Sequence, residues 1–314
     1  MAYSTSSEVN RTDVMGRIKL FAQAQGYSHS ALSGSTETDT QFVLSKGGAH
    51  FAFRFYQDWL YVVPSLVKPT TTWDSQSMAS WCYGGSNKIQ YPVKNLHLFA
   101  NDGAIGIVME VTTDCYVHMN FGFVTKIGSW PGVGAFAVGI GQDTQPSGWS
   151  VITTPSSLWS ADYYYMNGIL TNTTYNGGNR VTGASYGGVI DINGGTAAFA
   201  YNNSGNPSNP VTYLAFNMIM HTSIPVFSYV NTYNGRMTLG TPYYGVRLRT
   251  APTSDPWIPA FMLPHMAITN MGDKTGNEII NNNWRVYPMS QKKTRPAVGN
   301  GGQATGDFAF AYKV

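Results

Sequence analysis

Apolar residues recur at helical spacing near the start of this chain and then change period. Val14, Ile18 and Phe21 stand four and three residues apart, behind Thr12 and Asp13 and ahead of Gly26, with Leu20 and Ala24 widening the same face. This spacing predicts one amphipathic helix over 12–26, with Gly26 as its stop. Further on, the period falls to two. Phe51, Phe53 and Phe55 alternate with Ala52, Arg54 and Tyr56, and Trp59–Val63 follow the short polar break Gln57-Asp58. The pattern predicts a hairpin whose second strand is closed by Pro64. A second hairpin is predicted from the β-rich runs Ile105–Val111 and Tyr116–Phe123, joined by Thr112–Cys115. On its second strand Val117, Met119, Phe121 and Phe123 share one face. Tyr116, His118, Asn120 and Gly122 form a polar and aromatic stripe on the other. Lys126–Gly134 holds too much Gly and Pro for a regular element and reads as a structured loop.

From about Tyr163 to Pro210 the texture is different, with Asn176–Asn179, Tyr186–Gly188, Asn193–Gly195 and Asn202–Pro207 punctuating short segments. Asn-Gly pairs supply the positive φ of tight hairpins, so this stretch is expected to be an elaborated β arm or insertion. Tyr163–Tyr165, Ile169, Leu170 and Phe199 give it apolar groups to pack against something. Regular structure is expected to resume over Tyr213–Met220. The expected fold is therefore mainly β. It has antiparallel sheets in a sandwich or barrel-like arrangement, one N-terminal helix and an extended Asn/Gly-rich arm. An N-terminal β region over 1–160, the arm over 161–210 and a C-terminal β region over 211–314 packing on the first describe it, as does one domain overall.

Composition changes this picture in one respect. Aromatic residues make up 14% of the chain and charged residues 11%, against roughly 25% charged in an ordinary soluble domain. Between Lys126 and Arg249 the ionisable side chains other than tyrosine are Asp143, Asp162, Asp191, Arg180, Arg236, Arg247 and His221. Such a surface is solvated by amides, hydroxyls and glycines or covered by neighbouring subunits. The net charge of +3 is small, and the one basic cluster, Lys292, Lys293 and Arg295, reads as a solvated loop. Nucleic acid is not an expected partner. No run approaches the ~20 apolar residues of a membrane span. The start of the chain has no basic, then apolar, signal-like pattern, so a membrane or secretory route is not expected. Cys82 and Cys115 are too few for a disulfide framework, and both read as reduced, packed thiols, with a single bridge as the lesser alternative.

Chemistry is sparse. There is no phosphate-binding loop, Gly-x-Ser-x-Gly elbow, His-Glu-x-x-His helix or Cys-x-x-Cys pair, and the six histidines lack helical metal-site spacing. His118, across a turn from Glu110 and Asp114, reads as a hydrogen-bonded structural imidazole before a catalytic or metal-binding one. Glu110 and Asp114 have the residue types of a glycosidase acid pair, but with 16 acids in the chain such proximity arises by chance. No catalytic residue, metal ligand or cofactor site is assigned. Trp73, Trp81, Tyr83, Trp130, Trp149 and Trp159 lie in Gly/Ser/Pro-rich, loop-like contexts, where aromatic side chains stack on sugars or anchor subunit interfaces.

Asp114–Gly132 resembles a pattern in structural proteins of tailed bacteriophages. There a strand ending His-x-x-Phe-Gly-Phe is followed by a lysine, a Gly-x-Trp or Gly-x-Tyr turn and a glycine pair. In this chain those positions are His118, Phe121, Gly122, Phe123, Lys126, Gly128 and Trp130. His97–Phe99, Val108–Val111 and Trp59–Pro64 continue the likeness, and Gly306–Lys313 is similar to the family's Gly-x-x-Gly-x-Ala-Tyr-Lys close. The chain departs from the pattern at Pro131–Gly134 and in its Asn/Gly-rich middle. The resemblance implies a virion protein of the neck, collar or tail, without enzymatic activity, assembled in the bacterial cytoplasm and present in several copies. Its expected partners are other copies of itself and other virion proteins. A receptor or decoration protein holding host glycans through loop tryptophans is the alternative reading, and a cell-wall glycan hydrolase using Glu110 and Asp114 a weaker one.

Overall fold

The computed structural model describes residues 1–33, 35–36, 39–56, 59–65, 68–69, 87–88, 91–112, 115–123, 125–127, 135–140, 213–218, 239, 243–249, 258–262, 265–270, 278–280, 283–288 and 308–314. The chain opens with β1 (Ala2–Val9), α1 (Arg11–Ala24), β2 (Ser28–Ala31), β3 (Asp39–Lys46), β4 (Ala49–Tyr56), β5 (Trp59–Ser65) and β6 (Asn87–Lys88). It continues with β7 (Val93–Asn101), β8 (Ala104–Thr112), β9 (Cys115–Phe123), β10 (Thr125–Lys126) and β11 (Ala135–Ile140). Then follow β12 (Tyr213–Met218), β13 (Tyr243–Arg249), β14 (Ile258–Met262), β15 (Met266–Asn270), β16 (Glu278–Ile280), β17 (Trp284–Pro288) and β18 (Phe308–Lys313).

These strands form four antiparallel sheets. The central sheet has the order β1-β7-β8-β9-β11, and the N-terminal sheet β2-β3-β4-β5-β6. A C-terminal sheet is ordered β15-β18-β17-β16, and a fourth β10-β14-β13-β12. The fold is mainly β, and each sheet order is open, so among the described residues no barrel closes.

Both predicted hairpins form. β4 meets β5 with Phe53 opposite Val62, and β5 runs one residue past Pro64 to Ser65. β8 meets β9 with Ile107 opposite Met119 and Val108 opposite His118. Strict alternation then sends Val117, Met119 and Phe121 into the apolar core, together with Ile105, Ile107 and Met109 of β8 and Leu96 and Leu98 of β7. Against them lie Phe42, Leu44, Phe51, Phe53 and Phe55 of the N-terminal sheet. Phe121 sits at the middle of this core, edge-on to Phe53 at 5.0 Å and tilted against Phe51 at 5.4 Å. Such offset ring pairs contribute beyond their area.

The helix begins and ends slightly earlier than its spacing predicts. Asn10 precedes it, and Gly26 follows with φ +84°, a left-handed conformation that glycine adopts without strain. The Gly26 N–H donates to Gln23 O at 2.9 Å and the Tyr27 N–H to Ala22 O at 3.1 Å, the two bonds of a Schellman motif. Lys46 of β3 adds its ammonium, donating to Gln25 O at 2.7 Å, where the helix dipole is negative. One expectation is corrected here. Val14, Met15, Ile18 and Ala22 form the buried face, whereas Leu20 is 64% exposed and Ala24 is also exposed. The helix buries a narrow stripe against β3 and β7 rather than a face wide enough for Leu20.

β1 carries no apolar alternation, its middle reading Ser4-Thr5-Ser6-Ser7. It is an edge strand, held by its ladder with β7 from Ala2 opposite Ala100 to Val9 opposite Val93.

Candidate functional site

The polar stripe predicted on β9 is real and faces inward. His118 and Asn120 are 0% exposed, because the C-terminal sheet covers this side of the central sheet. A central sheet buried on both faces, one against aromatic hydrocarbon and the other against polar groups, must satisfy every polar atom on the second.

The bonds there run in one direction. Pro288 offers only a carbonyl, and the Nε2 of His118 lies 2.7 Å from it, so Nε2 carries the proton and donates. His118 Nδ1 is then the acceptor, and the Tyr312 hydroxyl donates to it at 3.0 Å. The Tyr312 oxygen in turn accepts from Asn120 Nδ2 at 3.4 Å. The Asn120 amide oxygen accepts from His265 Nε2 at 3.2 Å. The imidazole of His118 also stacks on the Tyr312 ring, at 5.9 Å and 11°. Phe310 meets it edge-on at 5.1 Å. β9, β17, β18 and the residue before β15 are thus joined by one directed chain. Burial pushes His118 down to about 4 and His265 down to about 3, while the hydrogen bond to Pro288 pulls His118 slightly back.

Next to this chain lies a second cluster. The Nδ1 of His97, on β7, lies within hydrogen-bond distance of both Tyr3 Oη and Thr5 Oγ1, at 3.1 Å each. The imidazole lies 5.0 Å from the Tyr287 ring. Tyr287 packs on Phe99 and Tyr116. Arg285 of β17 places its guanidinium 4.4 Å over the Tyr3 ring, a cation–π contact. His97 is pushed down to about 4, first by burial and then by Arg285, with Glu110 opposing. An imidazole so depressed is a weak base near neutral pH. Burial, first among several causes, raises the Tyr287 phenol.

Glu110, one of the two acids of the imagined glycosidase pair, is buried between β7 neighbours. Lys94 Nζ donates to its Oε1 at 3.1 Å, and Asn95 Nδ2 donates to its other oxygen. It stands opposite Tyr116 on β9, two pairs removed from His118 opposite Val108. Asp114 lies outside the described residues. Among the described residues, no three His, Cys, Asp or Glu side chains converge as metal ligands.

Of the motif residues, Phe121 lies in the aromatic core and Phe123 is half-buried, edge-on to Phe51 at 5.9 Å. Gly122 has φ +129°, and a Cβ there would strike the Gly103 carbonyl oxygen and Ala104 Cα. Only glycine fits, because the turn between β7 and β8 lies directly against it, pinned by the bond from Tyr27 Oη to Gly103 O at 2.9 Å. Lys126 ends β10, opposite Phe261 of β14. Gly128, Trp130, Trp73, Trp81, Tyr83, Trp149 and Trp159, and the whole arm over 161–210, lie outside the described residues.

No family model matches the chain, and no curated protein matches it.

Sequence reasoning missed Tyr312, His265, Tyr287 and Arg285 as members of this seam. The signal for Tyr312 was present in the Ala-Tyr-Lys close. Its partner His118 lies 194 residues away, a separation across which side-chain pattern carries no register.

Proposed function

We propose that this chain is a structural component of a tailed-phage virion, a ring-forming neck, collar or tail subunit that acts through its interfaces and performs no catalysis. The observation that carries this reading is where the family-like residues sit. His118 and Gly122, from the His-x-x-Phe-Gly-Phe strand, and Phe310 and Tyr312, from the closing segment, are packing and hydrogen-bonding residues inside the fold. The resemblance therefore follows architecture. Motif residues placed in the interior of the fold fit a subunit, whereas an enzyme's motif residues gather at a cleft.

Composition supports the same conclusion. With 11% charged residues and 14% aromatic residues, the chain lacks the mixed-charge exterior that holds freely diffusing proteins apart. Repeated uncharged contacts between copies account for it. Among the described residues no helix is long and apolar enough to cross a membrane.

Sedimentation of the purified chain over a range of concentrations tests the reading. A ring subunit sediments as an oligomer or as growing assemblies. A well-behaved monomer whose tryptophan fluorescence changes on adding bacterial surface polysaccharide would favour the glycan-binding reading instead. Release of reducing sugars that is lost in Glu110→Gln would overturn the assignment in favour of a hydrolase.

A further inference from the structure

Each sheet ends in two edge strands, and among the described residues these are β1, β11, β2, β6, β10, β12, β15 and β16. β1 is the longest of them, with 8 residues against 6 in β11 and β12, 5 in β15 and fewer in the rest. Folded proteins blunt an exposed edge by keeping it short, by placing a charge or a proline on it, or by bulging it out of register. β1 uses none of these over Ala2–Ser7. No Lys, Arg, Asp, Glu or Pro lies there, and the register with β7 is unbroken. Only at Glu8, with φ 49°, does the strand depart from extended backbone.

We propose that the free edge of β1 is a docking site for β1 of a second copy of this chain. The two strands pair antiparallel about a twofold axis, so that one sheet runs through both molecules. This goes beyond the virion reading and does not rest on it. A twofold contact closes a pair, whereas a ring is built from head-to-tail contacts on other parts of the surface.

Hydrogen bonding is the first support. In an antiparallel ladder alternate residues turn their N–H and C=O away from the neighbour, and among the described residues β1 makes its backbone bonds to β7 alone. Its side chains bond along the two faces of the sheet: Tyr3 and Thr5 at His97, Ser7 to Asn95, and Ser6 with Arg17 of α1. The outward row of backbone groups is left for another strand.

Charge points to a second copy as that strand's source. Self-pairing about a twofold axis sets residues near the axis against their own copies, so a charged edge repels itself. Outward-directed residues must meet outward-directed residues, which leaves two central registers, with Ser4 or Thr5 opposite its own copy. In the first, Tyr3 meets Thr5 and Ala2 meets Ser6 of the second copy. In the second, Ser4 meets Ser6 and Tyr3 meets Ser7. Within Ala2–Ser7 every such pair is uncharged, and most set hydroxyl against hydroxyl, a favourable cross-strand combination.

Leu20 supplies an independent mark at the same level. It is 64% exposed. α1 starts at Arg11, just after β1 ends at Val9, and runs back along the strand so that Arg17 Nη1 donates to Ser6 Oγ at 2.7 Å. From Arg17 to Leu20 the helix advances about 4.5 Å, and from Ser6 to the midpoint of Ser4 and Thr5 the strand advances about 5 Å. Leu20 therefore stands level with the proposed axis, about 60° around the helix from Arg17. A twofold axis there brings a second α1 alongside, reversed in direction, with its own Leu20 at that level. The pairing thus gives an apolar neighbour to a large side chain that the fold of one copy leaves in water.

Sedimentation velocity of the full chain over a concentration series, with hydrogen exchange read by mass spectrometry at both ends of the series, tests this. The natural chain is expected to sediment as a pair or an even multiple, and peptides covering 2–9 to gain protection as concentration rises. Thr5→Lys places two ammonium groups together near the axis, and Leu20→Lys places two beside it. Both positions are exposed. Each variant is expected to halve the sedimenting mass where the natural chain is paired, its dissociation constant rising about tenfold or more. Exchange over 2–9 that is independent of concentration, or two variants that associate as the natural chain does, overturns the edge pairing. Oligomers that persist with β1 unprotected overturn it while the virion reading stands, and a natural chain that stays monomeric throughout overturns both. If Thr5→Lys does not fold, Leu20→Lys and the exchange of the natural chain decide.

Discussion

The hydroxyl of Tyr312, next to last but one in the chain, donates to Nδ1 of His118 at 3.0 Å, across 194 residues of sequence. The same oxygen accepts from Asn120, so a single atom joins the last strand to two positions of β9. Replacing Tyr312 by Phe keeps the ring and its stack on His118 but leaves one buried acceptor and one buried donor unmatched. The expected cost is about 1–3 kcal/mol, read as a lower denaturation midpoint in urea with unchanged slope. An unchanged midpoint would mean that this bond carries no stability.

Gly106 stands on β8 directly beneath that tyrosine. A Cβ at this position would lie 2.7 Å from Tyr312 Cδ1 and Cε1 and 3.1 Å from Asn120 Oδ1. The ring is fully buried and has no free direction in which to move. Gly106→Ala is therefore expected to destabilise the protein by about 1–3 kcal/mol, despite the better intrinsic strand propensity of alanine. Thermal unfolding checks this, and a neutral or stabilising result would contradict the close packing of the two sheets.

Gly16 gives the opposite expectation. It lies in the interior of α1, and a Cβ there meets nothing within 4 Å. Gly16→Ala gains helix propensity and reduces the freedom of the unfolded chain, for about 0.5–1 kcal/mol of added stability. The check is a raised thermal midpoint.

Lys46 combines two roles at the end of the helix. Its ammonium donates to Gln25 O and lies 5.1 Å from the centre of the Tyr27 ring. Lys46→Met retains most of the hydrocarbon stem and removes the charge, so the expected loss is about 0.3–1 kcal/mol at low salt, shrinking as salt is added. A loss independent of ionic strength would assign the effect to packing.

Much of this fold was legible in the residues themselves. The β8–β9 hairpin announced its two faces through alternation, and the end of the helix through the one glycine that could turn left-handed. Two things were not legible, for physical reasons. β1 is a strand because β7 offers it a ladder, and Ser and Thr along it supply no periodic signal of their own. Leu20 carries the spacing of a buried residue but faces outward, because the width of a helix's contact is set by its partners and not by its sequence. The seam was half visible. His118 and Asn120 stood out as polar residues in an apolar hairpin, while whether that face met water, substrate or another sheet depended on strands more than a hundred residues downstream.

The assignment as a virion subunit is tested most directly by electron cryomicroscopy of the intact particles released from the cells that make this chain, with an antibody fragment against it as a marker. A ring subunit predicts marker density at a fixed level of the neck, collar or tail, repeated symmetrically around the particle axis. Particles carrying no marker, with the chain left behind as a free monomer, would contradict it.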